Sequence, residues 1–271
     1  MTARAPARRK TLLLVGCGKM GGALLEGWKR NRVGAFHVVE PAPTKRVKGA
    51  RYYAAPDLLP RTLKPDAVVF AIKPQDFDAA LPYYRRFAQA SAVVLSIAAG
   101  KTIPGMTRVL GADAPIVRAM PNTPAAIGRG ISVACAGPGV TSAARALCGR
   151  LLEAVGSVAW IEDEALMDAV TAVSGSGPAY VFLLIECLAA AGEGQGLAPA
   201  LAMKLALETV AGAGELARQS LDGVAQLREA VTSPGGTTRA ALDVLMGEDG
   251  LAALLRHAVA AATRRSKELA Q

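Results

Sequence analysis

Aromatic residues make up only 4% of this 271-residue chain, which also has just two histidines and four cysteines. Each scarcity removes a class of function. So few aromatics leave no stacking platform for single-stranded nucleic acid. The cations, 31 Lys+Arg against 22 Asp+Glu for a net charge of +9, are scattered along the chain rather than gathered into a stripe. No nucleic-acid partner is expected, and the excess charge suits a small anionic ligand better. Cys17, Cys135, Cys148 and Cys187 lie far apart, form no C-x-x-C pair and share no metal-ligand spacing with His37 or His257. Neither a zinc site nor a disulfide framework is expected. Long apolar runs are missing too. No stretch approaches the roughly 18 apolar residues of a membrane span, so no membrane partner is expected. Arg8-Arg9-Lys10 imitates a secretory signal, but the apolar run that starts at Leu12 stops at Gly16, short of the roughly 7–15 residues of a secretory core. A buried strand entering a turn is the better reading. Residues 1–9 are then a short, disordered basic tail, and the expected compartment is the cytoplasm.

What is present is apolar bulk, at 52% of residues, enough for a substantial core. From Thr11 to about Ile161 short apolar runs alternate with helical stretches, the pattern of a parallel sheet covered by helices. The predicted strands are Thr11–Val15, Phe36–Glu40, Ala67–Ile72, Ala92–Ile97, Ile116–Ala119, Ile131–Ala136 and Ser157–Ile161. Most are unbroken apolar runs, as strands covered on both faces should be. After Glu162 the strand signals stop. Ala- and Leu-rich helices follow, predicted from Pro178 towards Ala191, from Pro199 towards Arg218, and near 237–246 and 249–269. The chain therefore divides into a sheet domain over 10–162 and a helical domain over 163–271. Cys187–Gly196 and Leu205–Gly214 are so rich in small residues that helices there can approach closely yet offer little bulk for a private core. This half reads as a dimerisation domain in which two chains share one core, the alternative being an ordinary helical cap.

Gly16-Cys17-Gly18-Lys19-Met20-Gly21 matches G-x-G-x-x-G and sits between a predicted strand and an amphipathic helix starting near Met20. Gly16 permits the turn, Gly18 lets the backbone approach a pyrophosphate, and Gly21 allows helix to pack on strand, with the amides at the helix start facing the anion. The second strand ends at Glu40, about 20 residues on, where a carboxylate would accept bonds from an adenosine ribose and repel a 2′-phosphate, which points to NADH. Lys45 and Arg46 lie just beyond. Should Glu40 turn away, or the Pro41–Pro43 turn re-route the chain, they would clamp the 2′-phosphate of NADPH, so both cofactors stay open. Ala71-Ile72-Lys73-Pro74-Gln75 and Ser96-Ile97-Ala98-Ala99-Gly100 follow the third and fourth central strands, beyond the carboxyl ends where a doubly wound sheet binds its ligand. Ala71, Lys73, Pro74, Ala98, Ala99 and Gly100 join the cofactor candidates.

Two further runs are hard to explain as packing. Ser174-Gly175-Ser176-Gly177-Pro178-Ala179-Tyr180 and Ser233-Pro234-Gly235-Gly236-Thr237-Thr238 each lead a hydroxyl-bearing, glycine-rich turn into a helix start that favours anions. With Gly16–Gly21, Ala71–Gln75, Ser96–Gly100, Arg118-Ala119-Met120-Pro121-Asn122-Thr123-Pro124 and the extended run Arg228–Thr238, they make the chain resemble the pyrroline-5-carboxylate reductases from Thr11 to about Lys267.

The resemblance implies an N-terminal Rossmann-type, doubly wound, mainly parallel α/β sheet followed by an all-α domain that interleaves with a partner, giving dimers that assemble further into pentamers of dimers. It implies hydride transfer from NADPH or NADH to C5 of 1-pyrroline-5-carboxylate, giving L-proline in the last step of proline synthesis. Because the cofactor carries the electrons, the protein need only position and polarise. By family analogy, the Thr238 hydroxyl bonds the ring nitrogen and the amides around Gly236 and Thr237 hold the carboxylate. Val231, Ser233, Gly235 and Ser176 line the same pocket, facing a cofactor on the neighbouring subunit. Asn122 joins Gly16–Gly21 and Glu40 in the cofactor site, although as a turn residue it also has a purely structural reading. Glu40-Pro41 departs from the small or basic residues the family often carries there for NADPH. β-Hydroxyacid dehydrogenases share the layout but place a catalytic lysine on the helix after their G-S-G-like turn, and Pro178-Ala179-Tyr180-Val181-Phe182 offers none.

Overall fold

Leu12, Leu13 and Leu14 are wholly excluded from solvent, and Val15 nearly so, which places their strand in the middle of a sheet covered on both faces. The structure, a computed structural model, describes residues 9–269. The sheet has eight strands: β1 (Lys10–Val15), β2 (Gly34–Val39), β3 (Ala50–Tyr53), β4 (Ala67–Phe70), β5 (Val93–Ser96), β6 (Ile116–Met120), β7 (Gly130–Ala136) and β8 (Gly156–Ile161). Their order is β3-β2-β1-β4-β5-β6-β7-β8. All neighbours pair in parallel except β6 with β7. The chain therefore winds outward from β1 in one direction and returns to add β4 on its other side. That reversal opens a crevice at the carboxyl ends of β1 and β4.

Two apolar clusters cover the two faces. One gathers around α1 (Lys19–Arg30), whose Trp28 is fully buried and donates from Nε1 to the Leu151 carbonyl at 2.7 Å. The other gathers around Phe77 of α2 (Pro74–Ala80), Phe87 of α3 (Arg85–Gln89) and Met106 of α4 (Ile103–Leu110), with Tyr84 edge-on to Phe70. Leu151 belongs to α5 (Ser142–Glu153). The remaining helices are α6 (Met167–Val170), continued by a π-turn over Thr171–Gly175, then α7 (Gly177–Gly194), α8 (Pro199–Gln219), α9 (Val224–Ala230), α10 (Thr237–Leu245) and α11 (Leu251–Leu269).

Every predicted strand is present, with ends shifted by a residue or two. β3 was not anticipated: its four residues, Ala-Arg-Tyr-Tyr, are half-exposed on the sheet edge and carry no apolar run. α9 was also missed, being short and without a buried residue. Arg9, counted above with the tail, donates from Nη2 to the Gly34 carbonyl at 2.9 Å; the rest of that tail lies outside the described residues.

The compact units divide after Gly175, later than the 162/163 boundary read from the sequence, and the stretch from Thr263 onward joins the first unit. The strand signal does end at Ile161, but Met167 and Val170 still pack in the cluster on the α2 face. Ser266 then donates to Asp168 at 2.6 Å, fastening the end of α11 to α6.

The second unit, from Ser176, is helical. Its α7 and α8 meet over small side chains, with Ala189, Ala202 and Ala206 buried and Gly192 against Ala202. Large apolar side chains such as Phe182, Leu183 and Leu205 stay about half exposed. Contrary to the expectation from unbroken runs, the helical run Glu164–Gly194 contains a window of mean hydropathy 1.5 and is long and apolar enough to cross a membrane by length and composition alone. It has no unbroken apolar run because Ser174, Ser176 and Glu186 interrupt it, yet its average is high.

Candidate active site

At the carboxyl end of β1 the backbone turns through Gly16, which has φ +89° and donates its amide to the Val39 carbonyl at 2.9 Å. A Cβ here would lie 2.7 Å from the Ala71 carbonyl oxygen, so only glycine fits. At Gly21 a Cβ would collide with the Gly16 carbonyl oxygen. Gly18 is the opposite case: no atom lies within 4 Å of where its Cβ would be. Gly18 is also the N-cap of α1, and no side chain caps that helix. The first-turn amides of Lys19, Met20 and Gly21 therefore have no capping side chain at the positive end of a three-turn helix, and the backbone at Gly18 faces open space. This is a cradle a pyrophosphate fits, since the glycines remove the bulk and the uncapped amides supply the donors.

Cys17 is buried, and its amide donates to Oε2 of Glu40 at 2.7 Å. The other carboxylate oxygen accepts from the Ala42 amide at 3.3 Å. Burial, reinforced by the Glu40 charge and only partly offset by the Tyr52 hydroxyl, raises the Cys17 thiol above its ordinary range. It is a protonated space-filler there rather than a nucleophile.

Gly16, Gly18, Glu40, Ala71 and Lys73 line one cavity of about 710 Å³, closed on its far side by Ala54–Pro56 and Ala79–Tyr84. Lys73 is the N-cap of α2 and Pro74 its first residue. On the other side of the loop a hollow of about 250 Å³ is lined by Met20, Ala71, Ile72, Ile97, Met120 and Asn122, with Gly175 at its edge. Met120 reaches so close to Gly175 that a Cβ there would stand 2.6 Å from its terminal methyl. Asn122 accepts from the Ile131 amide at 2.9 Å, so its side chain also braces the start of β7. From the turn after β5, Ala98 is buried in the core and Gly100 takes φ +73°, while Ile97 reaches the hollow. The sequence reading missed the far wall of the large cavity.

In the second unit, Ser233–Gly236 closes a turn, with the Gly236 amide donating to the Ser233 carbonyl at 3.1 Å and Gly235 at φ +70°. Proline followed by a positive-φ glycine is what such a turn demands. Gly236 is the N-cap of α10 and, like Gly18, has no side-chain cap, which leaves the amides of Thr237 and Thr238 open. Val231, two-thirds exposed, ends α9. Ser176 is the N-cap of α7 and accepts the Ala179 amide at its carbonyl.

The pyrroline-5-carboxylate reductase of Pseudomonas aeruginosa is 39% identical over 266 residues, covering 96% of this chain and 97% of that protein. The chain belongs to the pyrroline-5-carboxylate reductase family. A solved pyrroline-5-carboxylate reductase from Coxiella burnetii superposes with a TM-score of 0.90 at 33% identity, covering 97% of this chain and all of that one. One from Plasmodium falciparum, solved with NADP bound, gives 0.82 at 31% identity, covering 97% and 98%. A family model for pyrroline-5-carboxylate reductase dimerisation matches residues 164–269. That span takes in the half-exposed apolar helices α7 and α8 and the Ser233–Thr238 turn. In this chain the loop after β1 and the turn before α10 are both glycine-built helix starts without a side-chain cap.

Proposed function

We propose that this chain reduces 1-pyrroline-5-carboxylate to L-proline with NADH or NADPH, as a homo-oligomer. The observation that carries the reading is the second uncapped helix start, at Gly236–Thr238, inside the region matched by the family. A Rossmann sheet alone does not set chemistry. Residues from Gly16–Gly21, with Glu40, Ala71, Lys73, Pro74, Ala98–Gly100 and Asn122, hold the dinucleotide. When bound, its reduced nicotinamide supplies the hydride. The Gly236 amide expected for this role is spent on the Ser233 carbonyl, so the open amides of Thr237 and Thr238 grip the substrate carboxylate at the positive end of α10, and the Thr238 hydroxyl bonds the ring nitrogen. Val231, Ser233, Gly235 and Ser176 complete the pocket. An iminium accepts hydride readily, so orientation and electrostatics are what the protein has to supply.

The exposed leucines and phenylalanine of α7 and α8 support a dimer in which two chains bury these faces, the ring of five dimers being the further assembly this reading expects. A cytoplasmic location goes with it, since the four cysteines are free. Nucleic acid and membrane have no part in the reading. The deciding assay is oxidation of NADH or NADPH by the purified chain given 1-pyrroline-5-carboxylate, where turnover is expected with at least one. Silence with both, together with oxidation of a hydroxy acid, would transfer the chain to a different reaction.

A further inference from the structure

We propose that Glu40 makes this chain selective for NADH over NADPH. The inference rests on the dinucleotide reading of the Gly16–Gly21 loop and deepens it. The carboxylate is not free to turn away. Its two oxygens are held by the Cys17 amide at 2.7 Å and the Ala42 amide at 3.3 Å, the first belonging to the phosphate loop itself. A carboxylate has about four acceptor positions, so two remain for hydroxyl donors. Glu40 also lines the 710 Å³ cavity beside Pro41, at the end of β2, where the adenosine ribose of a dinucleotide falls. Two ribose hydroxyls can donate to it there. A 2′-phosphate would bring a second anion against a charge that two backbone amides keep in place.

The cations nearest in sequence, which would favour a 2′-phosphate, make other contacts. Lys45 pairs with Glu26 of α1 at 3.2 Å. The Arg46 guanidinium lies 5.3 Å from the centre of the Tyr52 ring, which packs with the α1-side cluster and accepts the Val47 amide at its hydroxyl. Neither Lys45 nor Arg46 lines the cavity, and the only cation that does, among the described residues, is Lys73. Lys73 follows β4, and β1 lies between β4 and β2. Two strand spacings, about 10 Å, separate it from the end of β2, which puts it with the pyrophosphate rather than the adenosine ribose.

Equilibrium titration of the full chain with NADH and with NADPH, followed by fluorescence of the reduced nicotinamide, should show tighter NADH binding by about tenfold or more. Glu40→Gln keeps an oxygen for the Cys17 amide but removes the charge. It should bring the ratio of the two dissociation constants to within about threefold of unity. Lys45→Ala combined with Arg46→Ala should leave the ratio where it was. NADPH binding as tight as NADH in the unaltered chain overturns the proposal, whatever the variants do. An unchanged ratio in Glu40→Gln, or a loss of NADPH affinity in the double lysine-arginine variant, overturns it as well. Binding of neither cofactor overturns it together with the dinucleotide reading. NADH-selective binding without turnover of 1-pyrroline-5-carboxylate supports the selectivity while it sinks the proposed activity.

Discussion

Arg118 donates from Nη1 to Oε1 of Glu164 at 2.8 Å, with its guanidinium almost wholly excluded from solvent. The same oxygen accepts the Ile103 amide at 2.9 Å, so β6, the start of α4 and the segment after β8 converge on one carboxylate. Arg118→Met leaves that carboxylate with a single donor in a partly buried place. It should cost about 3 kcal/mol, read as a lower urea midpoint at unchanged m-value. A midpoint within error of the parent would show that the pair contributes nothing.

Gly21 packs against the Gly16 carbonyl with no room for a methyl group. Gly21→Ala should destabilise the fold by about 1–3 kcal/mol, because α1 must move off the sheet to admit the added carbon. The displaced loop should also weaken dinucleotide binding. Calorimetric melting and cofactor titration check the two effects separately, and a variant normal in both would refute the close-packing argument.

In the proposed reaction the Thr238 hydroxyl bonds the substrate ring nitrogen. Thr238→Ala should lower kcat/KM by about 10–100-fold, the scale of one hydrogen bond to a charged group, with melting temperature and cofactor affinity intact. Unchanged kinetics would take Thr238 out of the site.

His37 is buried on β2, stacked on Tyr53, and its Nδ1 is 2.9 Å from the Tyr53 hydroxyl. Burial, with help from the Arg51 charge, lowers its pKa below the ordinary value. The neutral ring is therefore the folded form. As pH falls below about 6.5 the unfolded chain takes up a proton that the folded chain refuses, so stability declines with falling pH until the lowered folded value is reached. Above about 6.5 the group contributes no slope. His37→Gln should flatten the decline in urea midpoint between pH 7 and the acid range; an identical slope in both proteins would assign it to other groups.

Much of the sheet was legible because it obeys local rules. Continuous apolar runs such as Leu12–Val15 and Ala67–Phe70 have no stable place except a strand covered on both sides, and a glycine triplet between strand and helix has few other uses. β3 escaped because an edge strand is stabilised by pairing on one side only, and Arg51, Tyr52 and Tyr53 show no period that separates them from a loop. The apolar character of Glu164–Gly194 escaped for a related reason: an average over a helix is invisible to a search for unbroken runs. Of the candidate site, Gly16, Gly18 and Gly21 could be given roles from spacing. The far wall of the cavity, from Ala54–Pro56 and Ala79–Tyr84, could not, since its segments are brought together by the winding of the sheet.

By itself, the order of residues determined where the central strands and the long helices form and that a helix start after β1 would be open to an anion, because hydrophobic periodicity and glycine stereochemistry act over a few neighbouring residues. Only the tertiary structure decided that Glu40 turns back onto the Cys17 amide while Lys45 and Arg46 are drawn to α1 and Tyr52. Those choices depend on which distant groups the packed sheet places within hydrogen-bonding reach, and a one-dimensional pattern does not contain that distance.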